Sequence, residues 1–183
     1  MSSGRRSVYV GMNLEMLAGT DADTAEGAVV FADLCDYTRA CEQLGDVAAA
    51  RMAVTLQRIA EHVARAHFGH VVKMLGDGVH LYFATAEDAV AASLDLLARV
   101  RSSELPCARV GVNAGPMIEA NGDYYGRAVN IAARIAAQAT PGSVFVGEAA
   151  MTRDPGVRFE RVGPLQLRGV AQDVTVYRAT AAA

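Results

Sequence analysis

No apolar run in these 183 residues approaches the roughly 20 needed to cross a bilayer as a helix. Arg5 and Arg6 are followed by no apolar signal segment. Basic residues are not in excess: 17 Lys and Arg stand against 20 Asp and Glu, a formal net charge of −3. That balance gives no electrostatic reason to expect nucleic acid or an anionic membrane as partner. The three cysteines, Cys35, Cys41 and Cys107, form no CxxC pair, and an odd count without a secretory leader reads as free thiols in a reducing compartment. His62, His67, His70 and His80 show no HExxH or other zinc spacing. The sequence has no internal repeat and no low-complexity tract. The chain is expected to be cytoplasmic.

What remains is the composition of an ordinary globular protein, 52% apolar and 20% charged, at a length that suits one domain and can bury a core without disulfides or a structural metal. Residues 1–27 mix small, polar and acidic residues around a short apolar patch, Met12 to Leu17, and read as an N-terminal extension. The domain proper is expected over 28–183.

From there the text alternates. Ala28 to Leu34 is an apolar run containing Asp33, a strand, and Asp46 to Ala66 has helical periodicity. His70 to Leu75 and Val79 to Phe83 flank Gly76-Asp77-Gly78, a hairpin with Asp77 at its tip. A helix over Ala86 to Arg101 follows, then a strand over Ala108 to Asn113, with turns at Gly115-Pro116 and Asn121-Gly122-Asp123. A helix from about Gly126 to Ala139 stops at Pro141-Gly142, and short late strands fall at Ser143 to Val146, Arg158 to Arg161 and Val174 to Tyr177. This order predicts an α+β, ferredoxin-like sandwich: a mostly antiparallel sheet with helices packed on one face.

A carboxylate at the end of a buried strand is costly unless satisfied, and Asp33 follows Val29, Val30, Phe31 and Ala32. Taken singly, Asp33 reads as a cap on the helix after Thr38, and Asp77 as ordinary turn chemistry. Taken together, two acids at one edge of a sheet come close enough to need a cation between them, and oxygen ligands suit Mg²⁺ or Mn²⁺. In the helix after Tyr125, Arg127, Asn130, Arg134 and Gln138 form one polar stripe opposite Val129, Ile131, Ala132 and Ile135.

Four ordered motifs, Phe31-Ala32-Asp33-Leu34, Lys73-Met74-Leu75-Gly76-Asp77-Gly78, Asp123-Tyr124-Tyr125-Gly126 and Val129-Asn130-Ile131-Ala132-Ala133-Arg134, together resemble class III nucleotidyl cyclases. Phe159 with Leu167-Arg168-Gly169 resembles the family's closing segment, so the match runs from about Ala28 to Arg178. Among members, the likeness is to bacterial adenylyl cyclases of the actinobacterial type.

That resemblance implies the following roles. Asp33 and Asp77 would bind two Mg²⁺ or Mn²⁺ ions per active site, with the backbone carbonyl of Leu34 nearby and the amides from Cys35 to Thr38 cradling phosphates. Asn130 would orient the ribose, Arg134 would stabilise charge on the α-phosphate, and Arg168 would hold the terminal phosphates. Lys73 and Asp123 resemble the base-reading pair. A carboxylate accepts from adenine's amino group but faces another acceptor on guanine, so Asp123 favours ATP over GTP. Because one chain carries both sets of residues, it resembles homodimeric members in which each site is shared between protomers.

Two positions depart from the pattern. Asp36 stands where relatives usually have glycine, which adds negative charge to the phosphate loop, and Ser143 stands where some present a basic residue to the triphosphate. Three rivals remain: an idle homologue serving as a dimerisation or regulatory module, another two-metal enzyme such as a diguanylate cyclase or polymerase palm, and a guanylyl cyclase. The second lacks a Gly-Gly-Asp-Glu-Phe motif here. The third usually has glutamate and a small or thiol residue where this chain has Lys73 and Asp123.

Overall fold

The computed structural model describes residues 22–182. The order is β1 (Ala22–Leu34), α1 (Tyr37–Leu44), α2 (Asp46–Ala66), β2 (His70–Met74), β3 (Gly78–Phe83), α3 (Ala86–Arg101), β4 (Ala108–Ala120), β5 (Asp123–Tyr125), α4 (Arg127–Gln138), β6 (Val144–Gly147), β7 (Val157–Leu165) and β8 (Val174–Ala181). The sheet runs β2-β3-β1-β4-β6-β8-β7, with β5 paired to β4. Every pairing is antiparallel except β4 with β6. The first four strands with α2 and α3 make the expected ferredoxin-like unit.

Strand alternation decides the layers, since successive side chains point to opposite faces. Ala28, Val30, Ala32 and Leu34 of β1 pack with Leu56, Ala60 and Val63 of α2 and Val90, Leu96 and Val100 of α3. The α2 positions recur at spacings of four and three, and those of α3, with buried Ser93, at three, three and four, which puts them on one side of each helix. Val29 and Phe31 face the other way, against Ala128, Val129 and Ala132 of α4. The expectation of helices on one face is therefore corrected: α2 and α3 cover one face and α4 covers part of the other. Gly111 admits α4, because a Cβ there would lie 2.2 Å from the backbone nitrogen of Ala136.

Four strands, β1, β4, β7 and β8, are longer than the sequence suggests. β1 begins at Ala22, six residues before the apolar run, and its first part pairs with the far end of β4 through Ala22–Ala120 and Glu26–Pro116. Gly115-Pro116 is not a turn but lies within β4, where Gly115 sits opposite Gly27. The turn comes at Asn121-Gly122, whose φ values of 54° and 73° suit a tight hairpin. The Met12 to Leu17 patch falls outside the described residues. Among the described residues, no helix is long and apolar enough to cross a membrane.

Candidate active site

Asp33 lies one residue from the end of β1, opposite Gly78 on one side and Arg109 on the other. A Cβ at position 78 would meet Asp33 Oδ1 at 3.3 Å and the Ala32 carbonyl at 3.0 Å, so glycine leaves the carboxylate its room. Leu75 N–H donates to the Gly78 carbonyl (2.8 Å), which leaves Gly76 and Asp77 as the hairpin tip. Leu34 N–H donates to the Asp77 carbonyl at 3.1 Å, tying the tip to the end of β1. Both acids open on one recess of roughly 430 Å³, together with Leu34, Asp36, Tyr37 and Thr38.

Burial pushes the Asp77 carboxyl above the usual carboxylate range, and the Asp33 charge pushes it further, against an opposing pull from Arg109. Two acids that feel one another offer hard oxygen donors of the kind that suit Mg²⁺ or Mn²⁺. Among the described residues no group of three or more His, Cys, Asp or Glu side chains is gathered to hold a metal ion, so an ion on this pair would need further oxygen ligands from backbone, water or substrate.

Arg109 is a site residue that the motif reading missed. Its Nη2 and Nε donate to Asp33 Oδ2 at 2.8 and 3.1 Å, which satisfies the carboxylate internally. Its Nη1 reaches the Ala137 carbonyl at 3.4 Å and so links the recess to the end of α4. Asp36, rather than Asp33, takes the position before α1, and it makes no side-chain cap. Its φ of 56° lies in the left-handed region, which accounts for the preference for glycine there. Cys35, Cys41 and Cys107 are free thiols, as expected.

Lys73, Asp123 and His80 lie on the sheet face that carries α4. Lys73 sits opposite His80 across a bulge in the β2–β3 pairing, and its ammonium donates to Asp123 Oδ2, joining β2 to β5. Asp123 Oδ1 accepts from the Tyr124 backbone N–H at 2.9 Å. The Lys73 ammonium and the Tyr124 N–H hold the Asp123 carboxyl below its usual range despite partial burial. Beside this pair, Tyr82 and Tyr124 stack with ring centroids 4.3 Å apart, and His70 closes against both. The sequence reading singled out neither tyrosine for this platform; their signal was placement two residues from His80 and next to Asp123.

Asn130 and Arg134 are exposed on α4, on the side away from buried Ile131, Ala132 and Ile135. Asn130 lines a separate recess with Gly126, Arg127 and residues Gly169 to Gln172. Arg168 is exposed next to buried Leu167, at the start of that loop. Neither Asn130, Arg134 nor Arg168 lines the recess holding Asp33 and Asp77. The chain thus brings together the acid group and, separately, the Lys73–Asp123 pair and the Asn130 recess. Ser143 is turned inward: it is 8% exposed, and its hydroxyl donates to the Thr140 carbonyl at 2.6 Å.

The family model described as the adenylate and guanylate cyclase catalytic domain matches residues 21–180. An uncharacterized protein of Mycobacterium tuberculosis is 31% identical over 167 residues, covering 89% of this chain and 43% of its own. An adenylate cyclase of Streptomyces coelicolor is 30% identical over 151 residues, covering 79% of this chain and 39% of its own. The chain therefore spans less than half the length of these relatives. The crystal structure of the adenylyl cyclase CyaB from P. aeruginosa superposes with a TM-score of 0.78 over 89% of this chain and 97% of that one, at 19% identity, and so shares the fold.

Proposed function

Because the chain belongs to the adenylate and guanylate cyclase catalytic domain family, we propose that it is an adenylyl cyclase, converting ATP to 3′,5′-cyclic AMP and pyrophosphate at sites shared by a homodimer. The observation that carries this reading is the Lys73–Asp123 ion pair on the same sheet face as Asp33. A carboxylate fixed in that position accepts from an exocyclic amino group and repels a carbonyl, which favours adenine over guanine by about 1–3 kcal/mol.

In the reaction, the ribose 3′-hydroxyl gives its proton to solvent as its oxygen bonds to the α-phosphorus, and the bond from that phosphorus to the oxygen bridging to the β-phosphate breaks, releasing pyrophosphate. Mg²⁺ or Mn²⁺ held by Asp33, Asp77 and the Leu34 carbonyl would supply Lewis acidity toward the hydroxyl and the leaving phosphates. The protein's own contribution is positioning: Asn130 orients the ribose, and the Arg134 guanidinium meets charge that develops on the α-phosphate. Arg168 binds the terminal phosphates. Asn130 and Arg134 lie outside the Asp33–Asp77 recess, so a second protomer is the natural source of the missing half of each site.

The test is incubation of the purified chain with ATP or GTP and Mg²⁺ or Mn²⁺, with cyclic product as readout and Asp33→Ala as control. Cyclic AMP formed by the unmodified protein and absent with the variant is the expected result. No cyclic nucleotide under any condition would favour an idle homologue; cyclic GMP as main product would make it a guanylyl cyclase.

Asp36 modulates this reading. Its carboxylate opens on the recess of Asp33 and Asp77 and adds a like charge where a triphosphate would sit. Asp36→Gly removes that charge and relieves a left-handed residue, so KM for the metal–nucleotide complex is expected to fall about threefold. Steady-state kinetics at fixed free metal measure it.

A further inference from the structure

His80 is wholly buried, at 0% exposure, yet neither ring nitrogen has a hydrogen-bond partner. Such orphans cost stability, and an aliphatic side chain would occupy the same space without that cost. The ring is packed rigidly against Phe31, stacked at 4.3 Å with 10° between planes. Its Nδ1 stands 3.8 Å from Asp123 Oδ1, behind the carboxylate that Lys73 holds from the other oxygen.

We propose that His80 is a positioning residue for nucleobase choice: its Nδ1–H anchors the Asp123 carboxylate from behind whenever Lys73 turns from Asp123 to the base. This rests on the cyclase reading. The charged or titratable groups that bear on the ring are Asp123, Lys73 and His70; burial pushes its pKa down to about 4, so at neutral pH it carries a single N–H. The negative Asp123 selects the tautomer with that hydrogen on Nδ1.

In the present arrangement Asp123 is held by Lys73 at Oδ2 and by the Tyr124 amide at Oδ1. A nucleobase that recruits the Lys73 ammonium removes the stronger of these restraints. Closing the gap between His80 and Asp123 to hydrogen-bonding distance takes a movement of about 1 Å. The carboxylate then keeps Oδ2 aimed at the base as a pure acceptor, which is the property that separates an amino group from a carbonyl.

The experiment measures kcat and KM for ATP and GTP, and thermal midpoints, in the unmodified protein, His80→Leu and His80→Asn. Leucine removes the orphan nitrogens; asparagine keeps a donor near the place of Nδ1. The expected result for His80→Leu is an equal or higher thermal midpoint with an ATP:GTP preference in kcat/KM reduced about tenfold, through KM for ATP rather than kcat. His80→Asn is expected to retain the preference. Should His80→Leu fail to fold, His80→Gln, whose amide stands near Nε2, replaces it as the variant that loses selectivity. An unchanged ATP:GTP ratio in His80→Leu or its replacement overturns the role of His80 and leaves the cyclase reading intact. Absence of cyclic product from the unmodified protein overturns both.

Discussion

Mixing Asp33→Ala with Arg134→Ala protomers, each inactive alone, is expected to restore cyclic AMP synthesis to about a quarter of the unmodified rate per protomer. The fraction follows from symmetry. Random pairing makes about half of the dimers mixed, and each mixed dimer combines one intact acid set with one intact Arg134 while its other site lacks both. The expectation rests on the separation of the two groups, because the recess of Asp33 and Asp77 includes no part of Asn130 or Arg134. Activity assayed on co-purified, differently tagged protomers checks it. Failure to recover activity in demonstrated mixed dimers would sink the shared-site arrangement.

Asp77→Asn is expected to lower turnover by at least about 10³-fold while leaving the protein as stable as before or more so at neutral pH. The two effects have one origin. Burial and the neighbouring Asp33 raise the Asp77 carboxyl above its unfolded value, so the ionised side chain opposes folding. Its favourable contribution is present below the unfolded pKa and is lost as pH rises through the folded one. The unmodified protein free of metal therefore loses stability over that window, and Asp77→Asn shows a flatter profile. Thermal melts across pH with chelator present, paired with assays in Mg²⁺ or Mn²⁺, read both. A variant that melts well below the unmodified protein would mark Asp77 as a structural acid instead.

Much of this site was legible because its signals are local. Asp77 at a glycine-bounded tip, Asn121-Gly122 as a hairpin turn, and the stripe of Asn130 and Arg134 opposite Ile131 and Ile135 each follow from the chemistry of a few adjacent residues. Arg109 was not legible, because its partner Asp33 is 76 positions away and only the β1–β4 register brings them together. His80 was set aside for lacking zinc spacing; its burial follows from the β1–β3 register that stacks it on Phe31, and Asp123 reaches it from a distant strand, neither of which a local pattern announces. The early start of β1 escaped for a related reason. Asp23, Thr24 and Glu26 give no apolar signal, and that stretch is held by its pairing with β4. Placement of α4 on the opposite face turns on Gly111, a single missing Cβ in a long strand.

Strand β3 places Val79, Leu81 and Phe83 in the core and His80 and Tyr82 on the other face. Under the role proposed for His80, base choice and the packing of α2 and α3 draw on alternate letters of one six-residue word. Insertion or deletion of one residue in β3 would turn both sets over in a single step, carrying His80 and Tyr82 toward α2 and α3 and the core residues away from them.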